Sequence, residues 1–214
     1  MPPSHQAWDQ LVKEYVTSTG KVNYAGIKTQ QTKLNDYLTL LAQNAPQDSW
    51  SKEEKLAYWI NLYNASTVSL ILKNYPLTSI MKLDKPFDTK FVKSGNRTIS
   101  LNQLENEIIR PTFKEPRIHF VVNCAAISCP KLRNEAYQAA NLSKQLDSQA
   151  SFFINSVHNK LSAKRAELSK IFDWYKDDFG TKANLISFIN RYATQKLATD
   201  AEITYLEYNW NLNK

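Results

Sequence analysis

The segment Ser51-Lys52-Glu53-Glu54-Lys55-Leu56-Ala57-Tyr58-Trp59-Ile60-Asn61-Leu62-Tyr63-Asn64-Ala65-Ser66-Thr67-Val68-Ser69-Leu70-Ile71-Leu72-Lys73-Asn74 carries the plan of the fold. Ser51 followed three residues later by Glu54 is a capping box, in which each side chain satisfies a backbone N–H that the first helical turn leaves free. The box predicts a helix from Lys52 to Asn74, stopped ahead of Pro76. From Leu56 to Ala65 it is apolar almost all round, which is how a helix covered on every side reads. Glu54, Tyr58, Asn61 and Asn64 fall on one side at spacings of three and four. An unpaired buried amide costs about 1–3 kcal/mol, so Asn61 and Asn64 need partners. They either brace neighbouring loops or line a cleft.

Outward from this helix, the next informative stretch is Arg117-Ile118-His119-Phe120-Val121-Val122-Asn123-Cys124-Ala125-Ala126-Ile127-Ser128-Cys129-Pro130. Residues 117–123 are rich in Ile, Val and Phe and predict a core strand. The small residues after it leave the backbone around Cys124 lightly covered, and Pro130 closes the segment. The expectation is a strand that delivers a cysteine to the edge of a cleft, with the long helix packed against its sheet.

The remaining pattern is mostly helical. Ser4 reads as the cap of a first helix carrying Trp8, Leu11, Val12, Tyr15 and Val16, ended by Gly20. A second helix carries Leu34, Tyr37, Leu38 and Leu41. Residues 91–93 and 97–99, joined through Ser94-Gly95-Asn96, predict a hairpin. Ser100 caps a short helix containing Glu105. Further helices are predicted near 143–157, after Ser169 and after Thr181, with a weaker hairpin in 159–168 and a strand in the tail from Ile203 to Trp210. No repeat, low-complexity tract or linker divides the chain, so residues 1–214 are expected to form one domain. The fold class expected is α+β, mostly helical around a small β-sheet, compatible with a papain-like or transglutaminase-like core.

Composition narrows the function. The chain has 214 residues, 27 Lys and Arg against 20 Asp and Glu, two Cys and only 4 Gly. The +7 charge is scattered and interleaved with acids, as in Lys52-Glu53-Glu54-Lys55, which reads as a solvated surface and against nucleic-acid binding. No apolar run is long enough to span a membrane. The opening Met1-Pro2-Pro3-Ser4-His5 reads as a cytosolic start or as the cut end of an exported chain.

Blocks along the whole chain resemble the family known as domain of unknown function 547. They are Ala7-Trp8 with Val22-Asn23-Tyr24, Glu54 to Ala65, Ser100-Leu101 with Leu104-Glu105 and Ile109-Arg110, Ile118-His119-Phe120 through Cys124 to Pro130, Leu168 to Tyr175 with Asp178-Phe179, and Tyr208 to Asn213. The resemblance implies no agreed activity. It implies that bacterial members are often exported or lipid-anchored, hence a periplasmic or exported mature form with association at a membrane surface, the cytoplasm remaining open. Relatives resembling this chain often carry His where Asn106 stands, and Tyr-Asp-Trp where this chain has Tyr208-Asn209-Trp210.

The chemistry centres on Cys124. A cysteine nucleophile needs thiolate character from nearby positive charge, a helix N-terminus or an imidazole. The chain has three histidines, His5, His119 and His158. On an extended strand His119 would stand roughly 16 Å from Cys124, so His119 serves as base only if the chain folds back, and otherwise His158 or His5 supplies the imidazole. Glu54, Asn61, Asn64, Glu105, Asn123 and Ser128 are expected to orient substrate or base. Two readings follow. One is a cysteine-dependent hydrolase or acyl transferase acting on a peptide-like or thiol-containing small molecule, without cofactor. The other is a non-catalytic, envelope-associated ligand-binding module in which Cys124 and Cys129 form a disulfide worth about 2 kcal/mol. A third possibility leaves both thiols buried and inert. Metal binding is not expected, since Cys-x4-Cys with one His lacks a fourth ligand.

Overall fold

The computed structural model describes residues Met1–Lys214. Its architecture is α+β, about half helical with two small sheets. Helices α1 (Gln6–Tyr15), α2 (Tyr24–Thr29) and α3 (Gln31–Gln43) precede the long helix α4 (Lys52–Lys73). The capping box at its start is formed: Ser51 Oγ accepts from the Glu54 N–H, and Glu54 accepts from the Ser51 N–H at 2.7 Å. Fifteen of its 22 residues are buried, so α4 is the axis on which the larger core is assembled. It packs on α2 and α3 and on the hairpin of β1 (Val92–Ser94) and β2 (Arg97–Ile99), paired antiparallel with Val92 opposite Ile99.

Ser100 starts a helical stretch with its own capping box to Gln103. The stretch runs from α5 (Leu101–Gln103) through a π-helical turn (Leu104–Ile109) to α6 (Arg110–Phe113). A π-turn admits one extra residue per turn and re-aims the side chains it carries, a feature often met at functional sites. Here it carries Glu105 and Asn106.

Residues 117–123, expected as a strand, form none. Pro116–Phe120 is a 3₁₀-helix, and the chain then turns irregularly through Cys124. The reason lies in where its backbone groups find partners. Asn64 Nδ2 donates to the Val121 carbonyl at 2.9 Å, the Asn123 N–H donates to Asn64 Oδ1 at 2.8 Å, and Gln149 Nε2 donates to the Phe120 carbonyl. Side chains from α4 and from α7 (Leu142–Ile154) replace a β-ladder, so the apolar run signals burial and not extension.

The second sheet lies in the C-terminal third. Strands β3 (Lys160–Ser162) and β4 (Arg165–Leu168) are antiparallel, and β5 (Glu202–Tyr205) lies parallel to β4. Between β4 and β5 come α8 (Ile171–Trp174), α9 (Lys176–Phe179) and α10 (Lys182–Tyr192), the last capped by Thr181. These elements share a smaller aromatic core with Phe120, Phe153 and Phe172, which joins the cysteine segment to the C-terminal part. The tail beyond β5 is not a continuing strand. It crosses back over the cysteine segment: the Ile127 N–H donates to the Asn211 carbonyl at 2.8 Å, the Asn209 N–H to Ser128 Oγ at 2.9 Å, and the Asn213 N–H to the Ala125 carbonyl at 3.1 Å. This clip brings Tyr208 and Trp210 over Cys124. No helix is long and apolar enough to cross a membrane.

Candidate active site

A cavity of about 340 Å³ opens where the π-turn, the cysteine segment, α8 and the tail meet. Cys124, Cys129, His119 and Glu105 line it, together with Asn102, Asn106, Tyr175, Trp174, Tyr208 and Trp210. Because residues 117–123 are not extended, His119 and Cys124 share this cavity despite the span that a strand between them would impose.

Cys124 is half-buried and Cys129 buried, both as free thiols. Their sulfurs lie 2.7 Å apart, Cys129 Sγ also accepts from the Cys124 N–H at 2.8 Å, and the Tyr208 hydroxyl stands 3.2 Å from Cys124 Sγ. Burial alone would raise the Cys124 pKa, but hydrogen bonds from Cys129, Tyr208 and the Ala126 N–H bring it below the ordinary thiol value. Cys129 moves the other way, pushed well up first by burial and then by the neighbouring Cys124 sulfur. Tyr208 is likewise raised, by burial and by the two cysteines. Within this trio Cys124 is therefore the group most readily ionised. The turn behind the thiol is strained: Ala125 sits at φ 63°, costly for any residue but glycine. Asn123 Oδ1 holds it by accepting from the Ala125 N–H at 3.0 Å.

On the adjoining wall, His119 Nε2 lies 2.7 Å from Asp178 Oδ2, and the ring stacks on Tyr175 at 3.9 Å between centroids. Arg110 grips the same carboxylate twice, Nε to Oδ2 at 2.7 Å and Nη2 to Oδ1 at 3.0 Å. The His119 bond and then Arg110 hold the Asp178 carboxyl well below the usual carboxylate range, against its partial burial. Beyond the ring, His119 Nδ1 faces Glu105 Oε1 at 3.8 Å, too far for a hydrogen bond, and both atoms are buried without a partner. Asn106 accepts from Arg110 Nη1 at 2.7 Å and also contacts Asn102.

The other residues expected at the site lie elsewhere. Glu54 is engaged in the helix cap, outside the cavity. Asn61 and Asn64 act as braces: Asn61 donates to the Tyr137 carbonyl and accepts from its N–H, and Asn64 clamps Val121 and Asn123. Asn123 is spent on the turn, donating to the Pro130 carbonyl at 2.7 Å. Ser128 holds the tail. His158 packs on Phe153 and lines separate surface hollows, and His5 is buried against the Tyr37 hydroxyl. No histidine hydrogen-bonds to Cys124. Asp178, Tyr208, Tyr175 and the two tryptophans of the rim were not among the expected site residues. They stand 50 or more positions from Cys124 in the chain, and no local pattern marks them. No group of three or more His, Cys, Asp or Glu side chains is arranged to hold a metal ion.

A family model described as "Protein of unknown function, DUF547" matches residues 47–154, half of the chain. The chain belongs to this family. In this DUF547 protein the matched span supplies Glu105, His119, Cys124 and Cys129, whereas Asp178 and Tyr208, which bind two of them, come from beyond it. No curated protein and no solved structure matches the chain.

Proposed function

We propose that this DUF547 protein is a cysteine-dependent hydrolase or acyl transferase acting on a peptide-like or thiol-containing small molecule, with Cys124 as nucleophile. The observation that carries the reading is the uneven trio of Cys124, Cys129 and Tyr208, which favours a thiolate at the edge of a cavity with an imidazole–carboxylate pair on its next wall. In the step envisaged, the Cys124 sulfur attacks a carbonyl carbon, and a tetrahedral adduct forms with its charge on the oxygen. The adduct collapses as the leaving group takes a proton, giving a thioester. Water or another acceptor then attacks, its proton is taken up by the site, and the thiolate leaves. Tyr208 is the hydroxyl donor beside the reacting sulfur, and His119, oriented by Asp178, is taken as the imidazole that carries protons once substrate bridges the two walls.

The test is alkylation by iodoacetamide as a function of pH, read by mass spectrometry at each cysteine. Cys124 is expected to label with a midpoint below the ordinary thiol pKa of about 8.5, with Cys129 inert. A midpoint at or above that value removes the nucleophile and the reading with it.

The contact between the two sulfurs favours one second reading, a non-catalytic envelope-associated module with a Cys124–Cys129 disulfide. Intact mass without reductant separates the two, a bridged chain being lighter by two hydrogens.

A further inference from the structure

The walls of the Cys124 cavity differ in charge from the rest of the molecule. The chain carries a net charge of +7, yet none of the residues lining this cavity is Lys or Arg, while Asp88 and Glu105 are among them. The nearest guanidinium, Arg110, is held by Asp178 and lies against the Tyr175 ring, 5.0 Å from its centroid. The remaining wall presents aromatic rings. Trp174 and Trp210 stack at 5.9 Å, and Tyr208 packs on Trp210 at 4.6 Å and on Trp174 at 4.8 Å. Trp174 is nearly half exposed, so the rings form an accessible rim.

The floor of the cavity holds two buried polar atoms without a partner, one of them a carboxylate oxygen. Glu105 is only 6 % exposed, and its Oε1 has no hydrogen-bond partner. His119 Nε2 is taken up by Asp178, and its Nδ1, 3.8 Å from Glu105 Oε1, is likewise buried without a hydrogen-bond partner. Buried polar atoms of this kind are costly unless a partner arrives. A group that brings several N–H donors and a positive charge satisfies the Glu105 oxygen, and the faces of the rim attract the same charge through the ring quadrupoles.

We propose that this cavity takes its ligand by a protonated primary amine, lodged between Glu105 and the aromatic rim of Trp174, Tyr208 and Trp210. The proposal rests on the reading of the Cys124 cavity as the working site and names its substrate class as amine-bearing, such as a peptide with a free amino group. A neutral polar ring offers hydroxyl donors to Glu105 but no charge, and a carboxylate is repelled by it.

The experiment is calorimetric titration of the full chain carrying Cys124→Ser with hexylammonium, 1-hexanol and hexanoate, which share one alkyl tail. Hexylammonium is expected to bind about tenfold more tightly than hexanol, with hexanoate weakest. Glu105→Gln is expected to erase the preference for ammonium over alcohol. Because that residue is buried, Asp88→Asn at an exposed position of the wall is measured beside it and is expected to reduce the same preference. Equal or tighter binding of hexanol or hexanoate, no saturable binding of the ammonium, or a preference unchanged in every folded variant overturns the proposal. Since binding is read without the thiol, its failure leaves the alkylation profile of Cys124, and the catalytic reading, untouched.

Discussion

His119 and Asp178, 59 positions apart in the chain, are joined by a 2.7 Å bond from Nε2 to Oδ2, and Arg110 grips the same carboxylate from the other side. The pair ties the cysteine segment to α9, and Arg110 ties both to the end of the π-turn. It orients the ring by binding one nitrogen and leaving the other toward the cavity.

Asp178→Asn keeps the shape and removes the charge. It is expected to lower stability by about 2 kcal/mol, the scale of a lost charge-assisted bond, as read by chemical denaturation. The sign of the pH effect follows from the depressed carboxyl. Its contribution is complete above the unfolded carboxylate value of about 3.9 and is lost as the pH falls toward the folded value. The wild-type chain should therefore lose more stability on acidification below pH 4 than the Asp178→Asn chain does.

Tyr208→Phe removes one donor to the Cys124 sulfur without emptying the space. The alkylation midpoint of Cys124 is expected to move to higher pH, and Cys129→Ala is expected to move it the same way. Unchanged midpoints in both variants would show that neither group holds the thiolate.

Asn64→Ala strands two buried backbone groups, the Val121 carbonyl and the Asn123 N–H. At about 1–3 kcal/mol for each buried group left unpaired, a loss of roughly 2–5 kcal/mol is expected in urea denaturation. The Cys124 turn should loosen with it, seen as faster hydrogen exchange at the Asn123 and Ala125 amides.

Ala125→Gly tests the strain behind the thiol. Glycine tolerates φ 63° freely, and relief of a strain of about 1–2 kcal/mol outweighs the backbone entropy that glycine adds. A rise of up to about 1 kcal/mol in stability is expected, whereas Ala125→Val, branched and fully buried at the same φ, is expected to destabilise.

His5 supplies a second pH signature, remote from the cavity. Its burial beside Tyr37 lowers its pKa to about 4. A base held neutral in the folded state stabilises fully above the unfolded value of about 6.5, and that stability falls away between pH 6.5 and 4. His5→Phe is expected to flatten the stability profile over this window in thermal melts taken at each pH.

Several elements are legible because their cause is local. The Ser51–Glu54 box, the Ser100 cap, the Gly95 hairpin and the Thr181 cap are each satisfied within eight residues, so type and position follow from the letters alone. The run from Ile118 to Val122 misleads for the opposite reason. Its apolar residues declare burial, but its backbone is satisfied by Asn64 and Gln149 from far along the chain, and nothing nearby says that a ladder is absent. Asn61 and Asn64 announce only a need for partners, and those partners are loop backbone and not ligand.

The amino-acid sequence determines the buried helix α4, the helix caps, the hairpins and the family, since each rests on patterns confined to one segment. Tertiary structure alone decides that the Cys124 and Cys129 thiols are shifted in opposite directions, that His119 and not His158 lines the same cavity, and that Asp178 and Tyr208 bind its residues. Ionisation and proton transfer depend on separations of a few ångströms in a poorly solvated place, and here the tail and α9 set those separations by folding back over residues that precede them by 50 or more positions.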